Sequence, residues 1–147
     1  MKLNKPLVAL LIGALATIPQ EIYTRFSRYF LGIGDYSVYE LNSLIITVNR
    51  PSAILGIVST CMVGGIVSIL LYYSLNRIGP DYIILKSIVS GIISWVISEA
   101  IFTWLLEGPK LIQVRSMSDY FLQVTGALVY GVMLGLLYKR YITPINT

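Results

Sequence analysis

Four long apolar runs dominate this chain, and they leave few folds open to it. They cover about residues 6–31, 52–75, 82–106 and 119–138, each near the roughly 20 residues that a helix needs to cross a bilayer. A chain of 147 residues cannot bury all four in a water-soluble core. Charged residues make up 12% of it, about half the share usual for soluble domains. The expected fold is all-α: a polytopic four-helix bundle forming one domain over residues 1–147, in the cell membrane, with the lipid bilayer as its solvent. The start, Met1-Lys-Leu-Asn-Lys followed by an apolar run and Ala14-Leu15-Ala16, also fits a signal peptide. The three apolar runs that follow favour a retained first helix.

The breaks between the runs set the topology. Gly79-Pro80 marks a tight turn, and Gly108-Pro109 opens a longer connection. The first connection is the longest. In it, Ser37 with Glu40 three residues later makes a capping-box pattern, which predicts a short helix over 38–47. Its Val38, Leu41, Leu44 and Ile45 form an apolar face expected to lie on the membrane surface. Lys2, Lys5, Arg77, Lys86, Lys139 and Arg140 gather on one side, opposed by Asp81 alone. Arg50, Lys110 and Arg115 on the other side are offset by Asp35, Glu40, Glu107 and Asp119. This bias predicts that both termini are cytoplasmic.

The first run turns polar before it ends. At about 100° per residue, Glu21, Thr24, Arg25 and Arg28 share one stripe. That stripe must face protein or water, because a charge in lipid costs about 3 kcal/mol or more. Glu99 on the third run and Gln123 on the fourth lie at a similar depth. Gln20, Glu21, Thr24, Arg25, Glu99, Thr103 and Gln123 are therefore expected to form one intramembrane polar cluster. Two readings of it stand side by side: buried ion pairs that fix helix register, or a pathway for an ion, proton or polar solute.

Small residues supply the packing faces: Gly56, Thr60, Gly64 and Ser68 on the second run, Gly91 with its neighbouring serines on the third, and Ala127, Gly131 and Gly135 on the fourth. The first and third runs share Gly-x7-Glu (Gly13 to Glu21, Gly91 to Glu99). The second and fourth share G-x4-LLY, ending at Tyr72 and Tyr138. Two helical hairpins repeated in parallel would give this pattern; chance recurrence of glycine and leucine is the rival explanation.

Several functions are argued against. The net charge of +4 is scattered, without the basic run that marks nucleic-acid binding. A lone Cys61 forms no intrachain disulfide, and the absence of histidine excludes a histidine zinc site or a Ser-His-Asp triad within the chain. No cofactor and no enzymatic activity are expected. The stretch "YIILKSIVSGIISW", with Tyr82, Leu85, Lys86, Gly91 and Trp95, resembles a pattern in small four-helix membrane proteins of Firmicutes that have no assigned function. The resemblance implies the topology and no catalytic or ligand residues. The leading expectation is a small oligomeric channel or transporter for an ion or small polar solute using Glu21, Arg25 and Glu99; the alternative is a non-transporting scaffold or accessory subunit with structural ion pairs. Either is expected to act as a homo-oligomer or with a membrane partner.

Overall fold

The structure, a computed structural model, describes residues 4–142. Helix α1 spans Lys5–Leu31, α2 Val38–Thr47, α3 Ala53–Ile78, α4 Ile83–Phe102 and α5 Met117–Tyr141; a π turn, Thr103–Glu107, prolongs α4. The four long helices are each apolar and long enough to cross a membrane, and they form an all-α membrane bundle. Pro6 sits in the first turn of α1, where a missing N–H costs nothing. The helix runs through Pro19 and stops at Gly32, whose φ of 66° is the left-handed conformation of a helix C-cap. The connections at 32–52 and 108–116 share one end of the bundle, called here the cap end; the turn at 79–82 lies at the other.

The predicted short helix forms over Val38–Thr47, with its capping box intact: the Glu40 N–H donates to the Ser37 hydroxyl, and the Ser37 N–H donates to the Glu40 carboxylate. Its orientation differs from the expectation. Val38, Leu41 and Leu44 turn inward, and Leu41 and Leu44 pack on Phe102 and Leu106, while Ile45 and Ile46 are exposed. The helix plugs the cap end of the bundle with its apolar face instead of laying that face in lipid. Burial against Phe102 and Leu106 replaces contact with the headgroup boundary.

Around the bundle, α3 packs on α1, α1 on α5, and α5 on α4, whereas α3 and α4, although consecutive, barely touch. Small residues make the close seams. A Cβ on Gly13 would overlap the Gly64 carbonyl, one on Gly91 would press the Ala127 carbonyl, and those on Gly131 and Gly135 would strike the backbone of Ile88 and Ile84. Gly13 and Gly91 thus hold corresponding places in the two hairpins. Gly56 serves another purpose: a Cβ there would overlap the Tyr39 backbone, so this glycine seats α2.

The half of the bundle away from the cap has an apolar centre crossed by tyrosine hydrogen bonds. Tyr130 and Tyr138 of α5 reach across to α3 and donate to the carbonyls of Gly64 (2.8 Å) and Ser68 (2.5 Å). The Ser68 hydroxyl donates in turn to the Ala9 carbonyl at 2.5 Å. Ile12, Leu71, Leu75 and Leu134 close around them.

Gly56→Ala is expected to lower the melting temperature in detergent by the equivalent of about 1–3 kcal/mol, since a methyl there collides with immovable backbone. Gly32→Ala meets no neighbouring atom within 4 Å and loses only the roughly 1 kcal/mol tied to positive φ. Parallel thermal melts of the two variants check the order; an equal or reversed ranking would show that α2 is not seated as described.

Candidate functional site

The polar stripe of α1 binds the start of α2. The first N–H groups of a helix have no partner within it, and in α2 they find theirs on α1. The Tyr39 N–H donates to Glu21 Oε2 at 2.9 Å, and the Val38 N–H to the Thr24 hydroxyl at 3.1 Å. The Ser37 hydroxyl donates to Glu21 Oε1 at 3.0 Å, and Arg25 donates to the same oxygen through Nε (2.9 Å) and Nη2 (2.6 Å). A carboxylate at a helix N-terminus is favoured by the helix dipole as well as by these bonds. Arg28 pairs with Glu40 in the first turn of α2. Burial raises the pKa of the Tyr39 phenol, a shift that its hydrogen bond with Thr17 opposes.

A second ionic centre surrounds Arg115, whose side chain is 0% exposed. Its Nη2 donates to Glu99 Oε2 at 2.5 Å, its Nε to Glu107 Oε1 at 2.5 Å, and its Nη1 to Asp119 Oδ2 at 3.1 Å. Its guanidinium also lies over the Tyr120 ring, 4.6 Å from the centroid. Burial alone would push the Arg115 pKa down. The hydrogen bonds and charges of Glu99 and Glu107 outweigh it and raise the pKa above its ordinary value, so the group stays protonated throughout the range in which proteins fold. The π turn helps to build this centre. On a regular α-helix Glu107 would lie about 80° round from Glu99; the wider turn, closed by the Gly108 N–H donating to the Thr103 carbonyl at 2.8 Å, swings it back toward the same guanidinium.

The remaining acceptors tie the two loops together. Asp119 Oδ1 accepts from the N–H groups of Asp35 (3.0 Å) and Tyr36 (3.2 Å), the Asp35 carboxylate accepts from the Ser116 N–H at 2.7 Å, and Tyr120 donates to Glu107 Oε2 at 2.9 Å. Glu99 Oε1 takes the Trp95 indole N–H at 3.2 Å. Among the described residues, no buried side-chain nitrogen or oxygen lacks a partner, and no group of His, Cys, Asp and Glu is arranged to hold a metal ion.

The seven residues expected to form one cluster are divided. Glu21, Thr24 and Arg25 bind α2. Glu99 joins Arg115, on the other hairpin. Gln20, Gln123 and Glu99 line a central cavity of about 60 Å³ together with Thr17, Ser94, Ser98 and Tyr130. Thr103 is exposed at the start of the π turn and reaches the Arg115 centre only through a hydrogen bond with the Tyr120 hydroxyl. Arg115 is the residue that sequence reasoning missed. Its position four residues before Asp119, in the first turn of α5, was the available signal.

Arg115→Met is expected to destabilise the fold by about 3–5 kcal/mol, because it strands carboxylates that the fold keeps buried. Adding Glu99→Gln should recover part of that loss, and a double-mutant cycle by thermal or denaturant melting measures the coupling. Additive effects would deny the contact. In Glu21→Ala, hydrogen exchange at the amides of Val38 and Tyr39 should accelerate while that of α5 stays unchanged. Compared with known protein families, with curated proteins and with solved structures, the chain finds no match.

Proposed function

We propose that this is a non-conducting accessory protein of the membrane, with both termini cytoplasmic, whose intramembrane charges hold its cap end in shape. The observation that carries this reading is the saturation of Glu21 and Glu99. Every oxygen of the two carboxylates already accepts a hydrogen bond from Arg25, Ser37, the Tyr39 N–H, Trp95 or Arg115. A coordinating or proton-carrying carboxylate needs a free oxygen on a wet path. Here α2 with Phe102 and Leu106 closes the cap end, and Tyr130 and Tyr138 fill the other half. As an accessory subunit the chain acts on a membrane partner or on further copies of itself. The transport reading keeps one point in its favour, the polar central cavity, and flux measurements separate the two.

In proteoliposomes carrying a pH-sensitive dye and a potassium gradient, the protein should leave proton and cation leakage at the level of empty vesicles. Flux that Glu99→Gln or Glu21→Gln abolishes while the melting temperature holds would reject the accessory reading in favour of transport. The orientation has its own check. In a Cys61→Ser background, cysteine at Gln113 should react with an impermeant maleimide added to intact cells, and cysteine at Asn76 should not. The opposite pattern would invert the topology.

A further inference from the structure

The open seam between α3 and α4 leads sideways from lipid into the central cavity. On the lipid side it is a groove of about 310 Å³ walled by Val63, Ile66, Leu70, Ile93, Ile97 and Ile101. Asn42, Val63, Ser94 and Ser98 line both the groove and the cavity behind it, so the two adjoin. The α1–α3 and α4–α5 seams are closed by small residues lying against backbone, and in the α1–α5 seam Gly126 lies against the Thr24 and Gln20 side chains.

The cavity offers hydrogen-bonding groups that the protein does not use. Gln123 is 2% exposed. Its Nε2 donates to the Tyr36 carbonyl at 3.0 Å, while its Oε1 accepts nothing from the protein and is left to the cavity it lines. The Gln20 amide and the Ser94 and Ser98 hydroxyls likewise line the space without a hydrogen bond to protein. The arrangement therefore favours a guest that supplies a donor.

We propose that the α3–α4 seam binds a single-chain amphiphile with a small uncharged hydroxylic head, such as a monoacylglycerol or a long-chain alcohol, with its head in the cavity and its chain in the groove. The dimensions fit. From Ser90 to Ile101 the groove follows α4 for about 16 Å, close to one leaflet of a hydrocarbon core about 30 Å thick. Asn42 and Ile101 mark its end toward the cap and Leu70 and Ser90 its deep end; a lipid of the leaflet at the cap end enters with its head toward the cap and its tail toward the midplane. A cavity of about 60 Å³ admits a few hydroxyl groups, since a water requires about 10–15 Å³ by the same measure. A phosphate head is disfavoured: among the described residues no cation lines the cavity, Glu99 lines its wall, and the Arg115 that pairs with Glu99 is already held by three carboxylates. A cationic head is not required, because Glu99 has its counter-charge.

The test uses the full chain in phosphatidylcholine vesicles with a photoactivatable monoacylglycerol bearing a diazirine near the chain end. Crosslinks should fall on peptides of α3 and α4 that contain Ile66, Leu70 and Ile93. Unlabelled monoacylglycerol should compete at least tenfold better than added phosphatidylglycerol or an alkylammonium of equal chain length. Ser98→Trp, which fills the mouth of the cavity, should reduce labelling at least tenfold. Gln20→Leu, which removes a polar group that holds nothing in the fold, should reduce it severalfold even if the tryptophan variant does not fold. Equal competition by phosphatidylglycerol means ordinary annular lipid and overturns the proposal, as does preferred competition by the alkylammonium or labelling unchanged in a folded Gln20→Leu.

Discussion

A guanidinium surrounded by three carboxylates, placed where lipid would otherwise begin, is the interaction on which the cap end depends. Arg115 joins Glu99 near the cap end of α4, Glu107 at the end of the π turn and Asp119 in the first turn of α5. None of the four is affordable alone at that depth. Together they fix the angle at which α4 leaves the bundle and α5 enters it. Through Asp119 the same centre reaches the first loop, whose backbone it holds at Asp35 and Tyr36. The Glu21 centre then sets α2 in place from the α1 side. Two ionic centres, one in each hairpin, thus hold one lid.

Much of this was legible in the sequence, and the limits have physical causes. The four spans follow from hydropathy, and the Val38–Thr47 helix follows from Ser37 and Glu40, since capping is a local interaction. The face that α2 buries was misjudged. An apolar stripe specifies burial but not whether lipid or protein provides it, and the Gly56 notch that decides the matter lies in another helix. The burial of Glu21 and Thr24 on α1 also followed from the cost of charge in lipid, whereas Arg25 and Arg28 stay partly exposed. The α2 partners of Glu21 and Thr24 did not follow, because they are backbone N–H groups in the first turn of that helix, which no side-chain count reveals. Arg115 lay in a segment that reads as a solvated loop, and only the π turn brings Glu107 round to it.

The two hairpins match in their Gly13 and Gly91 contacts and in having a buried glutamate near the cap end. They differ where a parallel repeat would require two like seams. The α1–α5 seam is closed, and its counterpart between α3 and α4 is not. The asymmetry has a source in the first loop, which carries a helix that the second loop lacks. Asn42 of that helix, hydrogen-bonded to Thr60 of α3 at 2.9 Å, borders the open seam. The irregular element of the chain and its unclosed side therefore coincide.

The hydrogen bonds from α5 to the first loop bear on the order in which the chain assembles. Residues 35 and 36 emerge from synthesis long before Asp119 and Gln123, which satisfy their backbone. Until the last helix inserts, the N-terminal hairpin has a tethered α2 but an unfinished connection leading into it, and α3 lacks the two tyrosines that fill its inner face. The N-terminal half therefore cannot mature ahead of the C-terminal half. A chain cut short before α5 would present the membrane quality-control machinery with exposed backbone at one end and an unfilled groove at the other, so completeness of the polypeptide is built into the fold as a condition of its survival.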